Sequence, residues 1–323
     1  MEDILKTIFL FVFGLLLLIK GGDIFVDNAV IIAKKFNLPE LLIGATVVSI
    51  GTTLPEVMVS ATGALEGNGA IAYGNAIGSI ICNTALISAI TIAVAPSVVN
   101  KKDLVLPTCF FIVATLIYCA ISYTTGYFSR TIGIVLVGLF VIYMALQIRN
   151  ALKDNASKET NNDSNNIHIR RPIVLIIIGA ALIAFGARLL VDNGIKLATI
   201  LGVPDSVIAL TFVALGTSLP ELITAIQSLI KGHGLLSLGN IIGANLFNLI
   251  LVSGMAIVLN PFAIPSTKLL FGYNSSLVLD IPVMISVMSI LLIPAFIKGK
   301  LYRWQGILLL CIYTLFIVSQ FFL

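Results

Sequence analysis

Long apolar runs recur along the whole 323-residue chain and are separated by short polar stretches. Each run approaches or exceeds the roughly 20 residues that an α-helix needs to cross a bilayer. The pattern predicts ten membrane-spanning helices, and the first run lacks the cleavage site of a signal peptide, so we interpret it as a retained span. The expected bounds are 4–34, 39–66, 70–96, 103–123, 130–152, 170–200, 204–231, 235–260, 277–298 and 301–322.

One polar stretch interrupts this pattern. Residues 153–168 read K-D-N-A-S-K-E-T-N-N-D-S-N-N-I-H, which is rich in Asn and charged side chains and poor in side chains that a protein interior buries. Such a composition is typical of segments that remain disordered. We therefore expect a flexible linker at 153–169, with five spans on each side of it.

The five spans before the linker resemble the five spans after it. When the sequence is displaced by 165 residues, about a third of the positions in 21–83 are identical to their partners. G-T-T-L-P-E at 51–56 meets G-T-S-L-P-E at 216–221, and G-N-A-I-G-S-I-I-C-N at 74–83 meets G-N-I-I-G-A-N-L-F-N at 239–248. Two unrelated apolar segments would share leucine and valine, but not this order of Gly, Asn, Pro and Glu.

The odd number of spans in each half determines the relative direction of the halves. A second copy that follows five spans must enter the membrane from the opposite side. The sequence therefore predicts an all-α polytopic membrane protein with two inverted five-helix repeats, at 1–152 and 170–323. Secondary transporters are often built in this way, with ion sites near the bilayer midplane where broken helices of the repeats meet.

Composition supports a membrane protein and excludes other classes. Hydrophobic residues make up 59% of the chain and charged residues 11%, and the mean hydropathy is +1.09. Soluble domains are about 25% charged. The sequence contains no basic patch interleaved with aromatic residues and no metal-binding cysteine pattern, so we expect no nucleic-acid partner and no cofactor. No sequence feature indicates an enzyme or an obligate protein partner.

Lysine and arginine are distributed unevenly between the two sets of loops. Thirteen of the nineteen lie in the loops that follow odd-numbered spans, three lie in the opposite loops and three lie within spans. Because cytoplasmic loops carry the excess of positive charge, the linker is predicted to be cytoplasmic and both termini extracellular. The expected location is the cell membrane.

The doubled G-T-[ST]-L-P-E motif places a helix breaker and an acid inside an apolar span. Pro55 has no N–H, so the carbonyl of Gly51 loses its helical partner. Irregular backbone at this depth is tolerated only where it is buried in protein or lines a cavity. An ionisable residue within a span, such as Glu56, marks an ion pathway. We therefore expect a broken helix whose carbonyl, hydroxyl and carboxylate oxygens line an ion site.

Facing repeats would bring Glu56 and Glu221 together, with no lysine or arginine in their own helices. Two carboxylates in a low-dielectric site repel each other, and one divalent cation would neutralise both. Calcium binds about six to eight oxygen ligands in flexible geometry. An all-oxygen set therefore favours calcium over soft metals, which prefer thiolate or imidazole ligands.

The next span in each half carries a polar stripe at intervals of four residues. The stripe positions are Asn75, Ser79 and Asn83 in the first copy and Asn240, Ala244 and Asn248 in the second. A hydroxyl in the first copy is thus a methyl in the second. Asn75 and Asn240 are as well suited to hydrogen bonds between helices as to ion contact, and the neighbouring glycines are suited to close helix packing.

The motifs and their arrangement resemble the calcium/cation antiporter superfamily, and within it the prokaryotic type of sodium/calcium exchanger. The resemblance covers essentially the whole chain; proton/calcium exchangers usually carry G-N-x-x-E in the stripe helix, which this chain lacks. It implies a secondary active antiporter that exchanges sodium ions for calcium by alternating access, in an electrogenic cycle. Spans 1 and 6 would form a unit that slides against the other spans.

The resemblance also implies a set of ion ligands. Calcium would bind the carboxylates of Glu56 and Glu221 and the main-chain carbonyls of Thr52 and Thr217. One sodium site would use the Ser49 carbonyl, Thr52, Thr53, Glu56 and Ser79, and its mirror would use the Ala214 carbonyl, Thr217, Ser218 and Glu221. Asn83 and Asn248 would lie between these sites.

Two residues depart from the family's pattern. Ala244 stands where the family usually has the serine that completes the mirror sodium site, which implies a lower sodium affinity on the outward side. Asn248 stands where several prokaryotic and potassium-dependent relatives have aspartate, which argues against a potassium requirement. A proton- or potassium-coupled calcium antiporter on the same fold remains the alternative.

An intramembrane protease and an ion channel are two other classes of membrane protein to compare with the sequence. Asp27 and Asp192 occupy equivalent positions and could form the acid pair of an intramembrane protease, but the doubled motif would then have no role. Their place near a helix end fits an interface or a water-facing position instead. An ion channel would pass calcium without a counter-ion.

Overall fold

Ten helices make up nearly all of the described structure. The computed structural model describes residues 2–36, 38–156, 169–201, 216–266, 269–270 and 272–320. The helices are α1 (Glu2–Lys35), α2 (Glu40–Leu65), α3 (Gly69–Val94), α4 (Lys101–Thr124), α5 (Arg130–Ala156), α6 (Arg170–Ile200), α7 (Leu219–Ile230), α8 (Gly234–Leu259), α9 (Ser276–Lys298) and α10 (Arg303–Gln320).

Short antiparallel strand pairs tie the loops together at the helix ends. Strand β1 (Tyr127–Phe128) pairs with β2 (Phe262–Ala263), and β3 (Leu269–Leu270) pairs with β4 (Tyr273–Asn274). Outside these strands, Val98 forms a single antiparallel bridge with Lys300. The β1–β2 pair and the Val98 bridge join the first half of the chain to the second, and the β3–β4 pair lies within the second half.

The helices confirm an all-helical polytopic membrane protein. Nine of the described helices are long and apolar enough to cross a membrane, and α7 is shorter because the structure describes this span only from Gly216 onward. The other bounds agree with the sequence prediction to within four residues. The largest difference is the end of α5, which continues to Ala156. The rest of the predicted linker, 157–168, lies outside the described residues.

Helices α1 and α6 cross in close backbone contact through glycines. A Cβ placed on Gly14 would lie 2.9 Å from the carbonyl oxygen of Gly186, and a Cβ placed on Gly21 would lie 3.0 Å from that of Gly179. Small residues allow such an approach between membrane helices. The 165-residue displacement turns one contact into the other, since it relates Gly14 to Gly179 and Gly21 to Gly186.

The turn between α2 and α3 recurs between α7 and α8. Gly67 and Gly232 occupy equivalent positions and have φ angles of 78° and 77°. Their N–H groups donate to the carbonyls of Ala64 and Leu229, respectively, at 3.0 Å in both turns. Glycine adopts this left-handed conformation at little cost. Each turn therefore joins a motif helix to a stripe helix in the same way.

Wide π-helical turns occur in four of the described helices. Helix α2 has one at Gly44–Val48, α3 at Asn83–Ser88, α8 at Asn248–Val252 and α9 at Ser276–Asp280. The turns in α3 and α8 begin at equivalent asparagines. Such turns are frequent at functional sites.

The first copy of the motif differs from the expected break. Helix α2 is continuous from Ser49 to Leu65 with Pro55 inside it. The irregularity is the π-helical turn at Gly44–Val48, directly before the motif. The helix thus widens instead of breaking, because the π-helical turn keeps the chain hydrogen-bonded while it changes the register of the backbone.

The stripe helices lie at the centre of the molecule. The most apolar part of α8 is 83% buried and that of α3 is 72% buried, whereas the corresponding figure for the peripheral α10 is 17%. Phe247 of α8 packs edge-on against Phe140 and Tyr143 of α5, with ring centroids 5.1 Å and 6.0 Å apart. This apolar packing holds the stripe helix α8 against α5.

Candidate functional site

Glu56 and Glu221 lie in the protein interior, near each other. Both side chains are fully buried, and the two carboxylates are close enough to interact electrostatically. None of their four carboxylate oxygens has a hydrogen-bond partner within the part of the chain that the structure describes. An uncompensated buried carboxylate costs several kcal/mol. The pair therefore has the charge and the free lone pairs to bind a cation.

Neutral polar groups surround the two carboxylates. The side-chain oxygens of Thr53 and Ser218, and both polar atoms of Asn83 and Asn248, are buried and likewise have no partner among the described residues. Thr53 and Ser218 are equivalent in the two halves, as are the two asparagines. The set is made of carboxylate, hydroxyl and amide oxygens, which are the ligands that hard cations prefer.

Two further predicted ligands, Ser49 and Thr52, donate their hydroxyl hydrogens to other protein groups. Ser49 Oγ donates to the carbonyls of Gly44 and Asn240 at 2.8 Å and 2.9 Å. Thr52 Oγ1 donates to Asn240 Oδ1 at 3.2 Å. A hydroxyl that donates its hydrogen keeps the lone pairs of its oxygen, so these contacts leave both the hydroxyl oxygens and the main-chain carbonyls of Ser49 and Thr52 available to an ion.

The first asparagine of each stripe hydrogen-bonds to a motif helix. Asn75 Nδ2 donates to the main-chain oxygen of Glu56 at 3.0 Å and to Ser60 Oγ at 2.8 Å. Asn240 Nδ2 donates to Thr224 Oγ1 at 3.0 Å. The helix-to-helix interpretation of these asparagines is therefore correct. Ser60 and Thr224 escaped the sequence analysis because the two halves have different residues at their positions.

A cavity of about 340 Å³ leads along α3 to the site. Its lining extends from Ala70, at the start of α3, to the predicted ligands Ser79 and Thr217. Tyr313 and Phe316 of α10 form part of the wall, although no motif marks them in the sequence. Ser79 is buried and Thr217 is half-buried, as expected for residues where an access path meets an ion site.

The equivalent face of α8 is closed. A Cβ placed on Gly239 would overlap the backbone of Leu41, and one on Gly243 would overlap Ala45 and Ser49. Helix α2 thus packs directly on this face, which confirms the packing role predicted for Gly239 and Gly243. The prediction is wrong for Gly74 and Gly78, which line the cavity and have no heavy atom of the described residues within 4 Å of an added Cβ. The path to the site therefore runs along α3, in the part of the protein that the structure describes.

One predicted ligand cannot be placed. Ala214, whose carbonyl is expected to complete the mirror sodium site, lies outside the described residues. All the other predicted ligands belong to α2, α3, α8 and the segment that begins α7. Their burial at the contact of these helices agrees with a common site.

Asp27 and Asp192 are engaged in ion pairs outside the site. Asp27 Oδ1 lies 2.6 Å from Lys231 Nζ, and Asp192 Oδ2 lies 3.7 Å from Arg188 Nε. Each aspartate therefore has a cation as its partner: Asp27 lies at an interface with the end of α7, and Asp192 lies at an exposed position on its own helix. Neither arrangement supports an acid pair.

Known proteins resemble this chain along most of its length. The family described as "Sodium/calcium exchanger protein" matches residues 6–149 and 171–322. The "Uncharacterized membrane protein MJ0091" of Methanocaldococcus jannaschii is 37% identical over 96% of both chains. The "Sodium/calcium exchanger MaX1" of Methanosarcina acetivorans is 30% identical over 96% of this chain and 97% of its own.

The fold also matches solved structures. A structure of the sodium-calcium exchanger NCX_Mj superimposes with a TM-score of 0.81 and 33% sequence identity, covering 98% of this chain and 99% of its own. A likeness of this extent and identity includes both halves of the chain.

Proposed function

The chain belongs to the sodium/calcium exchanger family and is a sodium/calcium antiporter, and we propose that both ions bind in turn at a site built around Glu56 and Glu221. One observation carries this proposal: the four carboxylate oxygens of the pair are buried, and none has a hydrogen-bond partner among the described residues. Hydroxyl and amide oxygens complete the set, with main-chain carbonyls from Ser49, Thr52 and Thr217.

The charge of this site explains exchange. Two carboxylates give a charge of −2, which one calcium ion neutralises and which several sodium ions can also neutralise. Both loads use the same glutamates, so they compete. The empty site is negative and costly to move through a low-dielectric barrier. The penalty favours a carrier that crosses with one load or the other, and it disfavours a channel.

The two halves are proposed to be inverted repeats, 1–152 and 170–323, joined by a linker at 153–169. The repeated glycine turns and the symmetric contacts between α1 and α6 support this arrangement. The excess of lysine and arginine supports a cytoplasmic linker and extracellular termini. In this orientation the cavity along α3 leads outward. Helices α1 and α6 form the unit that slides to open the opposite face.

Sodium-loaded proteoliposomes diluted into sodium-free medium with calcium test the function directly. We expect calcium uptake that requires internal sodium, and no uptake when internal sodium is replaced by potassium or by choline. A proton gradient imposed in place of the sodium gradient is expected to drive no uptake. Uptake that follows the proton gradient and ignores sodium would contradict the assignment.

The substitution Ala244→Ser is expected to raise sodium affinity. Ala244 is fully buried and equivalent to Ser79, so a serine restores one hydroxyl to the mirror sodium site. A hydrogen-bond-like contact to a charged partner contributes about 1.5–3 kcal/mol, and part of this is offset by desolvation. We expect the sodium concentration for half-maximal exchange to fall roughly threefold to tenfold, and calcium affinity to change less. Ser79→Ala is the matched control and should have the opposite effect.

A further inference from the structure

Charged side chains form a cluster between α1 and the end of α7, away from the ion site. Lys231 Nζ lies 2.6 Å from Asp23 Oδ1 and 2.6 Å from Asp27 Oδ1, and it also donates to the main-chain oxygen of Asp23 at 3.0 Å. The side chain of Lys231 is only 19% exposed. We call Asp23, Asp27 and Lys231 the first cluster.

The first cluster is part of a tight contact between these two helices. A Cβ placed on Gly22 would overlap the side chain of Ile223, and Gln227 Nε2 donates to the main-chain oxygen of Ile19 at 3.4 Å. One cation between two carboxylates therefore fixes α1 against α7 at this end of the molecule.

The 165-residue displacement maps the first cluster onto a second set of charges. It relates Asp23 to Arg188, Asp27 to Asp192, and Lys231 to Glu66. The second set also has one cation and two carboxylates, but the cation has moved from the motif helix to the long helix. We call Arg188, Asp192 and Glu66 the second cluster. Neutral or like-charged side chains at these positions could not attract each other. Because the signs are exchanged between the two helices, an attraction between them remains possible in the second copy.

The second cluster is not assembled in this structure. Among the described residues, Arg188 pairs only with Asp192 on its own helix, at 3.7 Å, and the two side chains are 82% and 56% exposed. Glu66 is exposed at the end of α2, and no ion pair is recorded for it among the described residues. Met58 and Leu65, on the same part of α2, are 65% and 69% exposed. At this end of α2, helix α6 therefore does not pack as closely as α1 packs against α7.

The state of the two clusters matches the state of the access path. The cavity begins beside the α2–α3 turn, where Glu66 lies, and the end that carries Lys231 is packed shut. We propose that the two clusters are alternating ionic latches: the first cluster holds the face beside α7 closed, and Glu66 binds Arg188 to close the face beside α2 when the α1–α6 unit moves. The proposal rests on the proposed function and on the inverted repeat.

The residues of the latches are positioning residues, because they act on the balance between two conformations and do not touch the ions. A ligand's apparent dissociation constant rises as the fraction of the binding-competent state falls. Lys231→Gln weakens the first latch, so we expect the calcium KM to rise about threefold to fivefold at the face beside α2 and to fall at the face beside α7. Glu66→Gln should shift both constants in the opposite directions. Lys231→Arg keeps the charge and should resemble wild type.

Cross-linking tests the second latch without any transport measurement. In a background with the four native cysteines replaced by alanine, Glu66→Cys with Arg188→Cys is expected to be joined by a short bifunctional thiol reagent, although the two residues are not paired in this structure. A reagent is needed because a disulfide spans Cα atoms only up to about 7 Å apart, and the long side chains of an ion pair hold their backbones farther apart. Asp23→Cys with Lys231→Cys is the positive control. Glu66→Cys with Ile178→Cys is the negative control, because Ile178 lies ten residues before Arg188 on α6.

The outcomes separate this proposal from the proposed function. No cross-link between positions 66 and 188, with an efficient one between 23 and 231, would overturn the second latch. Parallel changes of KM at both faces in Lys231→Gln would overturn the first. A wild-type protein that takes up no calcium in exchange for sodium would refute the function and leave the cross-linking result to stand alone.

Discussion

Glu56→Gln and Glu221→Gln are each expected to abolish sodium-driven calcium uptake. Glutamine keeps the shape of the side chain and one oxygen, but it removes one of the two charges that neutralise calcium. At an effective dielectric constant near 20, a unit charge about 4 Å from another contributes about 4 kcal/mol. Because each 1.4 kcal/mol is about tenfold in affinity, calcium binding should weaken roughly a thousandfold. Uptake and equilibrium calcium binding in detergent measure the two consequences.

A carboxylate elsewhere on the same helix supplies the control. Glu40 begins α2, and its Oε1 lies 2.7 Å from Nδ1 of His233, outside the ion site. Glu40→Gln should leave calcium binding within about twofold of wild type. The site assignment is wrong if Glu56→Gln retains wild-type calcium affinity, or if only one of the two glutamates is required.

The repeated motif allowed the glutamate pair of the ion site to be predicted from the sequence. Proline and glutamate inside one apolar run have several explanations, but their return after 165 residues requires a shared role for Glu56 and Glu221. The ten spans followed from the apolar runs alone. The ligand roles of Thr53, Ser218, Asn83 and Asn248 were implied by the family resemblance, and all four are buried without a partner among the described residues.

Features that differ between the halves were not predictable in the same way. Thr224 supports Asn240, but its equivalent is Val59, so no shared residue drew attention to it. Tyr313 of α10 lines the cavity because of tertiary packing that no local pattern encodes. The expected break at Pro55 appears as a π-helical turn before the motif, because helix α2 can absorb one missing N–H without ending.

The two proposed latches rest on a difference between the halves: the cation and one of the carboxylates exchange positions. Lys231 entered the sequence prediction only as one of the loop cations that set membrane orientation, and Glu66 entered no prediction. Their relation became visible once the ion pairs of Lys231 were known, because the displacement then placed Glu66 opposite Arg188.

The substitution Gly243→Ala is expected to disrupt the site through packing. The new Cβ would overlap Ser49 Oγ and would lie 2.7 Å from both Cα and the carbonyl oxygen of Ala45. Backbone atoms cannot move aside as a flexible side chain can, so α2 and α8 must separate. Overpacking of this kind costs about 1–3 kcal/mol. We expect a lower melting temperature in detergent and a calcium affinity reduced roughly tenfold, since the Ser49 carbonyl moves with its helix.

Gly78→Ala is the matched comparison that isolates this contact. Gly78 is the equivalent of Gly243, and no heavy atom of the described residues lies within 4 Å of a Cβ placed on it. Alanine is the better helix former at both positions by about 1 kcal/mol, so the difference between the variants cancels helix propensity and leaves the contact with α2. Equal melting temperatures for the two variants would mean that the close packing of α8 on α2 does not hold the site together. A lower melting temperature for Gly243→Ala alone would show that the two glycines, although equivalent in sequence, differ in packing: Gly243 is in close contact with α2 and Gly78 is not.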